Sequence, residues 1–509
     1  MKLREAWNKR DEWSKDYDIP NYDREAVKKN TAEAPVWLHF GAGNIFRALM
    51  AADMDRLLEL GLSDKGIIVC EDFDKELVYR AYEPYDCLSL LVTLKADGSV
   101  EKRVIGSVTE AVTQTARMQE LFRMPSVQMV SFTITEKGYT GPLMRKIAEL
   151  CLERYQCGAY PIALVSLDNC THNGELLSEA VWKHALELVA EGKADEGFLR
   201  YLHDESKITF PWSMIDKITP RPDGTVKELL EHDGLEDTEL IITEYNTYTA
   251  PFVNAEETEY LVIEDKFPNG RPELEAAGIL FTDKETVDRT EKMKVGTCLN
   301  PLHTALAIFG CLLGYETIHD EMKDQQLKEL VWELGYKEGL PVAVNPGILQ
   351  PEQFLKDVLT KRLPNVFMPD SPQRIATDTS QKIPVRFGQT LRAYHSEPEL
   401  DITGLTMIPL VFAGWLRYLM GMNDEGVKFE PSKDPRLDEL MACLQEVELG
   451  QDLKENDRIN LLLKDQAIFG IDLFECGLAE KVKGIFKEML TGPGAVRQTL
   501  IKYCAGKNN

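Results

Sequence analysis

The 509-residue chain is poor in positive charge: 58 Lys and Arg face 84 Asp and Glu, a net charge of −26. That balance repels phosphate backbones and anionic lipid, so nucleic acid and membrane surfaces are not expected partners. It leaves room for a local basic pocket. The ten cysteines (70, 87, 151, 157, 170, 298, 311, 443, 476, 504) include no C-x-x-C, and the eight histidines form no cluster. Neither a disulfide framework nor a structural zinc site is expected, and scattered free thiols fit a reducing cytoplasm. No unbroken run of about 18 apolar residues is present to span a bilayer. The first residues, MKLREAWNKRDEW, are charged and lack the apolar core of a signal peptide. Internal repeats and low-complexity tracts are also missing. The expectation is a soluble, cytoplasmic protein without a metal.

What is present is ordinary globular material, 44% hydrophobic and 28% charged, long enough for two or three domains. Residues 1–34 are polar and read as an irregular lead-in over the surface. An apolar strand follows at 36–40, then Gly41-Ala42-Gly43. A helical pattern over 48–60 carries Leu49, Ala52, Leu57 and Leu60, and Gly61 ends it. A second strand at 66–70 closes on Glu71-Asp72. Strand, glycine turn, helix, strand, acid is the order of a dinucleotide-binding βαβ unit. Glycines let the backbone approach a pyrophosphate, the helix N-terminus supplies N–H groups, and the acid can hold a ribose hydroxyl. The spelling G-A-G-N-I-F-R lacks a third glycine, and a G-x-G after a strand also occurs as a plain tight turn. Arg47, at the helix start, is a candidate phosphate ligand. An acid after the second strand favours NAD over NADP, since a carboxylate repels a 2′-phosphate.

Two further strands run into polar turns: 127–133 into Ile134-Thr135-Glu136-Lys137-Gly138-Tyr139, and 162–166 into Leu167-Asp168-Asn169-Cys170-Thr171-His172-Asn173-Gly174. Ligands of open α/β sheets sit at such carboxyl ends, although turns need Asp, Asn and Gly anyway. Residues 205–275 are mixed, with short strands at 240–243 and 260–263. Helical patterns then dominate at 301–315, 322–336, 351–360, 405–421, 435–447, 477–490 and 494–504. The fold class expected is α/β: a Rossmann-type NAD-binding domain over 1–293 and a mainly helical substrate domain over 294–509.

The segment 291–313, EKMKVGTCLNPLHTALAIFGCLL, sets Lys294, Asn300 and His303 at the mouth of an apolar helix. Leu302, Leu306, Phe309 and Leu313 recur at helical spacing, and Pro301 suits the first turn. Asn300 then reads as the N-cap and His303 as the third helical residue, near the positive end of the helix dipole. On spacing alone Asn300 is equally a plain cap, His303 a surface residue and Lys294 a solvated charge. A loop over 374–387 concentrates basic residues in this acidic chain. Its Arg374 and Lys382 could hold a carboxylate, a phosphate or sugar hydroxyls, or form a solvated basic turn.

Taken together these motifs resemble the polyol-specific long-chain dehydrogenases and reductases, the mannitol dehydrogenase family. The resemblance rests on Leu38-His39-Phe40-Gly41-Ala42-Gly43-Asn44-Ile45-Phe46-Arg47, Thr135-Glu136-Lys137-Gly138-Tyr139, Asp168-Asn169 with His172-Asn173-Gly174, and Ser213 to Pro220. It continues through Val262-Ile263-Glu264-Asp265, Asn300-Pro301-Leu302-His303 and the Arg374 to Lys382 loop. It implies an NAD(P)-dependent, metal-independent oxidoreductase acting on an open-chain sugar derivative. By position Lys294 is similar to the family's general acid/base, Asn169 and Asn300 to its amide donors, and His303 to its orienting residue. Glu291 matches the glutamate that relays the proton or gates the site. Asp216, Arg374 and Lys382 match substrate-binding positions. Gly41, Gly43, Asn44, Ile45, Phe46, Arg47, Glu71, Asp72 and Glu136 are the cofactor-binding set.

One departure stands out. The family spaces lysine, asparagine and histidine with four and two residues between them, and this chain has five between Lys294 and Asn300. At 100° per residue, eight steps leave lysine and histidine about 80° apart, whereas nine steps put them about 180° apart. A bulge or a non-helical lead-in near Gly296-Thr297 would absorb the extra residue; otherwise Lys292 or another group takes the role. The first functional expectation is the D-fructuronate/D-mannonate couple with NADH, the basic pair clamping the sugar-acid carboxylate. Tagaturonate, mannitol and, more weakly, mannitol 1-phosphate are the alternatives within the family. A nucleotide-binding regulatory protein without catalysis is the alternative outside it. Monomer and small homo-oligomer are both open.

Overall fold

The computed structural model describes residues 1–454 and 456–504. The chain divides into two compact units, Met1–Asp288 and Arg289–Asn509.

The first unit is organised by a six-stranded parallel sheet in the order β5-β2-β1-β6-β7-β8. Its strands are β1 (Trp37–Phe40), β2 (Ile67–Cys70), β5 (Val108–Val112), β6 (Met129–Phe132), β7 (Ile162–Ser166) and β8 (Ile208–Thr209). β1, β2, β6 and β7 are buried along their whole length, which explains why they read as continuous apolar runs: helices cover both faces of a parallel sheet. β1 is flanked by β2 and β6, with Phe40 opposite Cys70 on one side and Phe132 on the other. Strand order reverses there, so the crevice at the carboxyl ends of β1 and β6 is where such a sheet takes ligands. Smaller sheets complete the unit. β3 (Ser89–Leu94) lies between β4 (Val100–Ile105) and β12 (Phe252–Glu256), and β13 (Tyr260–Glu264) between β9 (Ser213–Asp216) and β14 (Leu280–Thr282). β10 (Ile241–Ile242) and β11 (Tyr248–Thr249) pair antiparallel.

The amino-terminal lead-in is more ordered than its composition suggests. Arg24–Glu33 is a helix whose cap, Asp23, accepts from the Ala26 N–H at 3.0 Å, and Leu3 and Trp13 are fully buried. Its apolar residues are few, but Leu3, Ala6, Trp13, Tyr17, Ile19 and Val27 are buried.

The second unit is helical. Its apolar centre is the pair Asn300–Leu313 and Met407–Leu419. A Cβ at Gly414 would lie 2.7 Å from the Phe309 ring, so glycine lets these helices approach. The buried Glu338 carboxylate caps the second of them, accepting from Met407 N at 2.7 Å and Ile408 N at 2.8 Å, where the helix dipole favours an anion. The helical stretch Lys284–Leu313 is long and apolar enough to cross a membrane, yet 83% of its apolar window is buried in the protein, as in a core helix. The expected loop over 374–387 is corrected: it is mostly helix, Pro372–Ile375 and then Thr379–Arg386, with Pro384 inside the second. Ser371 caps the first by accepting from Arg374 N at 3.3 Å. Asp434 anchors the second by accepting from Ser380 N at 2.8 Å and Ser380 Oγ at 2.6 Å.

Candidate active site

In the first unit the turn after β1 shows why glycine is needed. Gly41 has φ +112°, and a Cβ there would lie 2.7 Å from the Thr133 carbonyl oxygen. Gly43 faces open space, with no heavy atom within 4 Å of the place a Cβ would take. Its backbone is therefore approachable by a bulky anion, as a pyrophosphate requires. Phe46 occupies the position of the absent third glycine. It is fully buried and stacks on the His39 ring of β1 at 4.1 Å, and the helix relaxes there into a π-helical turn, Phe46–Met50, before Ala51–Glu59. His39 lies between the Ser131 and Thr133 hydroxyls at 2.7 and 3.0 Å. Burial pushes it down to about 3, so it is neutral.

Two cofactor candidates are placed differently from the expectation. Arg47 is fully buried. Its guanidinium donates to Ala250 O (2.7 Å), Thr249 Oγ1 (2.7 Å) and Asn44 Oδ1 (2.8 Å), while Asn44 Nδ2 donates to Tyr248 O at 3.0 Å. Arg47 and the Asn44 amide thus pin the turn to β11 and its flank, which engages the Arg47 guanidinium within the protein. Glu71, expected at a ribose, accepts from Ala42 N (2.9 Å), Phe73 N (3.0 Å) and Asp74 N (3.0 Å). It ties the end of β2 to the glycine turn. Asp72 pairs with Lys146.

Beside this turn lies a cleft of ≈ 460 Å³ whose lining includes Ile45, Glu136, Asn169, Ile215 and Lys217. Glu136 and Asn169 come from the turns after β6 and β7. The Asn169 turn is braced from below. Asp168 accepts from the Tyr139 hydroxyl and from Cys170 N (2.9 Å). The Asn173 amide donates to Asp168 O at 3.2 Å and accepts from Ser213 N at 3.0 Å. Burial raises Asp168, against those hydrogen bonds. Gly174 is required: a Cβ there would lie 2.4 Å from Phe210 O. Tyr139 and Asn173 fell within recognised motifs, but nothing in their spacing marked them as braces. Asp216 ends β9 between Ile215 and Lys217, buried, on the face opposite those two by strand alternation.

In the second unit the extra residue between Lys294 and Asn300 is absorbed by a π-helical turn, Lys294–Cys298. The Leu299 N–H reaches back five residues to the Lys294 carbonyl at 3.1 Å. One i→i+5 turn takes in one more residue than an α-turn, so the nine-residue step to His303 turns like eight. The bulge reading of the spacing holds. Lys294 is buried, at 8% exposure, and Glu291 precedes it by three residues on the same helical face. Asn300 is the first residue of the Asn300–Leu313 helix, one place inside the expected cap, which Leu299 takes. Burial first, then the positive charges of Arg386, Arg362 and Arg374, push His303 down to about 4, with Asp370 opposing. Arg374 pairs with Asp370. Lys382 donates to Ile375 O (3.0 Å) and Thr377 O, and burial, then repulsion from Arg386, lowers it. Among the described residues no group of three or more His, Cys, Asp and Glu side chains could hold a metal ion.

Comparison with known proteins matches the chain to two family models, the mannitol dehydrogenase Rossmann domain over residues 36–276 and the mannitol dehydrogenase C-terminal domain over 286–490. The chain belongs to the mannitol dehydrogenase family. It is an oxidoreductase of dehydrogenase fold, with an N-terminal Rossmann domain and a C-terminal helical domain. The D-mannonate oxidoreductase of Thermotoga maritima is 50% identical, covering 94% of each chain. The mannitol 2-dehydrogenase of Aspergillus clavatus is 29% identical over 83% of this chain and 85% of its own. Among solved structures, a substrate-free D-sorbitol dehydrogenase superposes with a TM-score of 0.77 at 25% identity, covering 94% of this chain and 97% of that one. Pseudomonas fluorescens mannitol 2-dehydrogenase, solved with NAD and D-mannitol, gives 0.68 at 23% identity, covering 99% and 100%, which bears on the fold. The glycine turn, with Gly43 open and the helix N-terminus behind it, fits the nicotinamide dinucleotide that this type of domain takes.

Proposed function

We propose that this enzyme interconverts D-mannonate and D-fructuronate with NAD(H), without a metal, in the cytoplasm. The observation that carries the reading is the 50% identity, over 94% of each chain, with a D-mannonate oxidoreductase. The cationic surroundings of His303, in a chain of net charge −26, support an anionic substrate. The acids Glu71 and Asp72 at the end of β2 support NAD over NADP, because added negative charge there opposes a 2′-phosphate.

When bound, the dinucleotide supplies or accepts the hydride. The protein handles the proton and the position of the reacting oxygen. In reduction the Lys294 ammonium donates its proton to the developing alkoxide, and in oxidation the neutral amine removes the hydroxyl proton. The Asn300 amide donates to the same oxygen and stabilises charge as it grows. Asn169, on the first unit, is assigned an amide role of the same kind. His303, held neutral, orients a substrate hydroxyl, and Glu291 passes the proton onward from Lys294.

The test is NADH oxidation against fructuronate, tagaturonate, fructose and fructose 6-phosphate. Turnover confined to fructuronate is expected. Preference for fructose would move the enzyme to polyol chemistry, and NADH binding with no turnover of any of the four would sink the lysine assignment.

A further inference from the structure

The two basic residues singled out in the sequence are already engaged, and a third is not. Arg374 is spent on Asp370, and the Lys382 ammonium on two main-chain carbonyls. Arg386, at the end of the Thr379–Arg386 helix, is half-buried by exposure, and burial is the one influence resolved on its guanidinium. Its donors meet neutral acceptors, Thr304 Oγ1 at 2.6 Å and Asn300 O at 3.4 Å. Among the described residues it makes no ion pair. Thr304 and Asn300 flank His303 on the first turn of the Asn300–Leu313 helix, which places Arg386 beside the expected substrate-orienting residue. The positive charges of Arg362 and Arg374 act on the same imidazole, and the acid that opposes them there, Asp370, is the one Arg374 holds. Of the two acids that act on Lys382, Asp378 and Asp434, the second binds Ser380 and the Arg436 N–H.

A guanidinium taken out of water without a counter-charge is costly unless an anion arrives to complete it. Its planar fork matches a carboxylate in two parallel hydrogen bonds, which a hydroxymethyl group cannot make. We propose that Arg386 is the residue that reads the substrate's carboxylate, and so sets the preference for a sugar acid over the corresponding neutral polyol. This rests on the sugar-acid reading above and goes beyond it by assigning the discrimination to one side chain. Burial lowers Arg386 to about 10, in keeping with a cation that lacks its anion.

The test compares D-mannonate with D-mannitol, which differ at the end carbon, as substrates for oxidation with NAD by the full-length enzyme, Arg386→Gln and Arg386→Lys. Removing one partner of a buried charge pair shifts binding by about 30-fold or more. The acid-over-polyol ratio of kcat/KM is therefore expected to fall by about that factor in Arg386→Gln, through the KM for mannonate and not through kcat. Arg386→Lys, which keeps the charge but not the fork, is expected to recover part of it. Should mannitol turn over too slowly to measure, competition by D-gluconate and by sorbitol against mannonate gives the same ratio. A tie to Thr304 and Asn300 that was merely structural would lower activity on both substrates alike. An unchanged ratio in Arg386→Gln overturns the proposal, as does an unchanged KM for mannonate in Arg386→Lys if the glutamine variant does not fold. A wild-type enzyme that prefers mannitol would refute the sugar-acid reading itself, whatever the variants do.

Discussion

The π-turn at Lys294–Cys298 makes a counter-intuitive forecast: removing one residue from it is tolerated and removing two is not. Val295 is the least buried residue of the turn. Its deletion lets the i→i+5 bond from Leu299 N become an ordinary i→i+4 bond. Lys294 and His303 are then eight steps apart on an α-helix, about 80°, the relation the bulge already creates. Deleting Val295 and Gly296 together removes a further 100° of rotation. At a side-chain radius of roughly 5–6 Å that moves the ammonium by about 8 Å. Since 1 Å of misplacement costs on the order of 100-fold in rate, the double deletion abolishes measurable turnover and the single deletion loses much less than that factor. The assay is NADH oxidation with fructuronate, with circular dichroism to confirm that both variants fold. A folded single-deletion enzyme as inactive as the double one would refute the account of the bulge.

The other expectations are as direct. Lys294→Ala lowers kcat/KM by about 10²–10⁴ while NADH still binds, measured by quenching of protein fluorescence; unaltered turnover removes the lysine from the mechanism. His303, lowered to about 4, stays neutral from pH 8 down to about pH 5. Its neutral form contributes stability that is complete above the unfolded value of about 6.5 and is lost as pH falls through about 4; an NMR titration midpoint near 6.5 in the folded protein contradicts this. Gly41→Ala is destabilising, because φ +112° and the Thr133 carbonyl both oppose a Cβ, by about 1–3 kcal/mol. It also weakens NADH binding, and an unchanged melting temperature speaks against that cost.

Much of this was legible in the chain because its determinants are local. Apolar runs of four or five residues between turns gave away β1, β2, β6 and β7, since a parallel sheet buried on both faces needs nothing else. The mismatch of one residue between Lys294 and Asn300 pointed to a bulge or a non-helical lead-in, because helical phase is arithmetic, and the structure has the bulge. The helix holding Lys382 and Arg386 was hidden by Pro384 and by polar residues that favour turns. Asp434, 54 residues from Ser380, provides the anchor that local pattern could not show. The structural ties of Arg47 and Glu71 were hidden for a related reason. Charge type suggested ligands, while the donors and acceptors that claim them, Ala250 O and Ala42 N, come from strands and turns remote in sequence.

Glu71 has a consequence for anyone wishing to redesign the enzyme's coenzyme. An acid after the second strand is the usual target when NAD dependence is to be exchanged for NADP dependence. Here the same carboxylate receives the Ala42 N–H and two N–H groups of its own loop. Neutralising it loosens the turn that any dinucleotide must use, whichever form is supplied. The tractable handle is its neighbour: Asp72 is paired with Lys146 and holds no part of the glycine turn in place. Replacing Asp72 releases the Lys146 ammonium and leaves the scaffold around Gly41 and Gly43 intact.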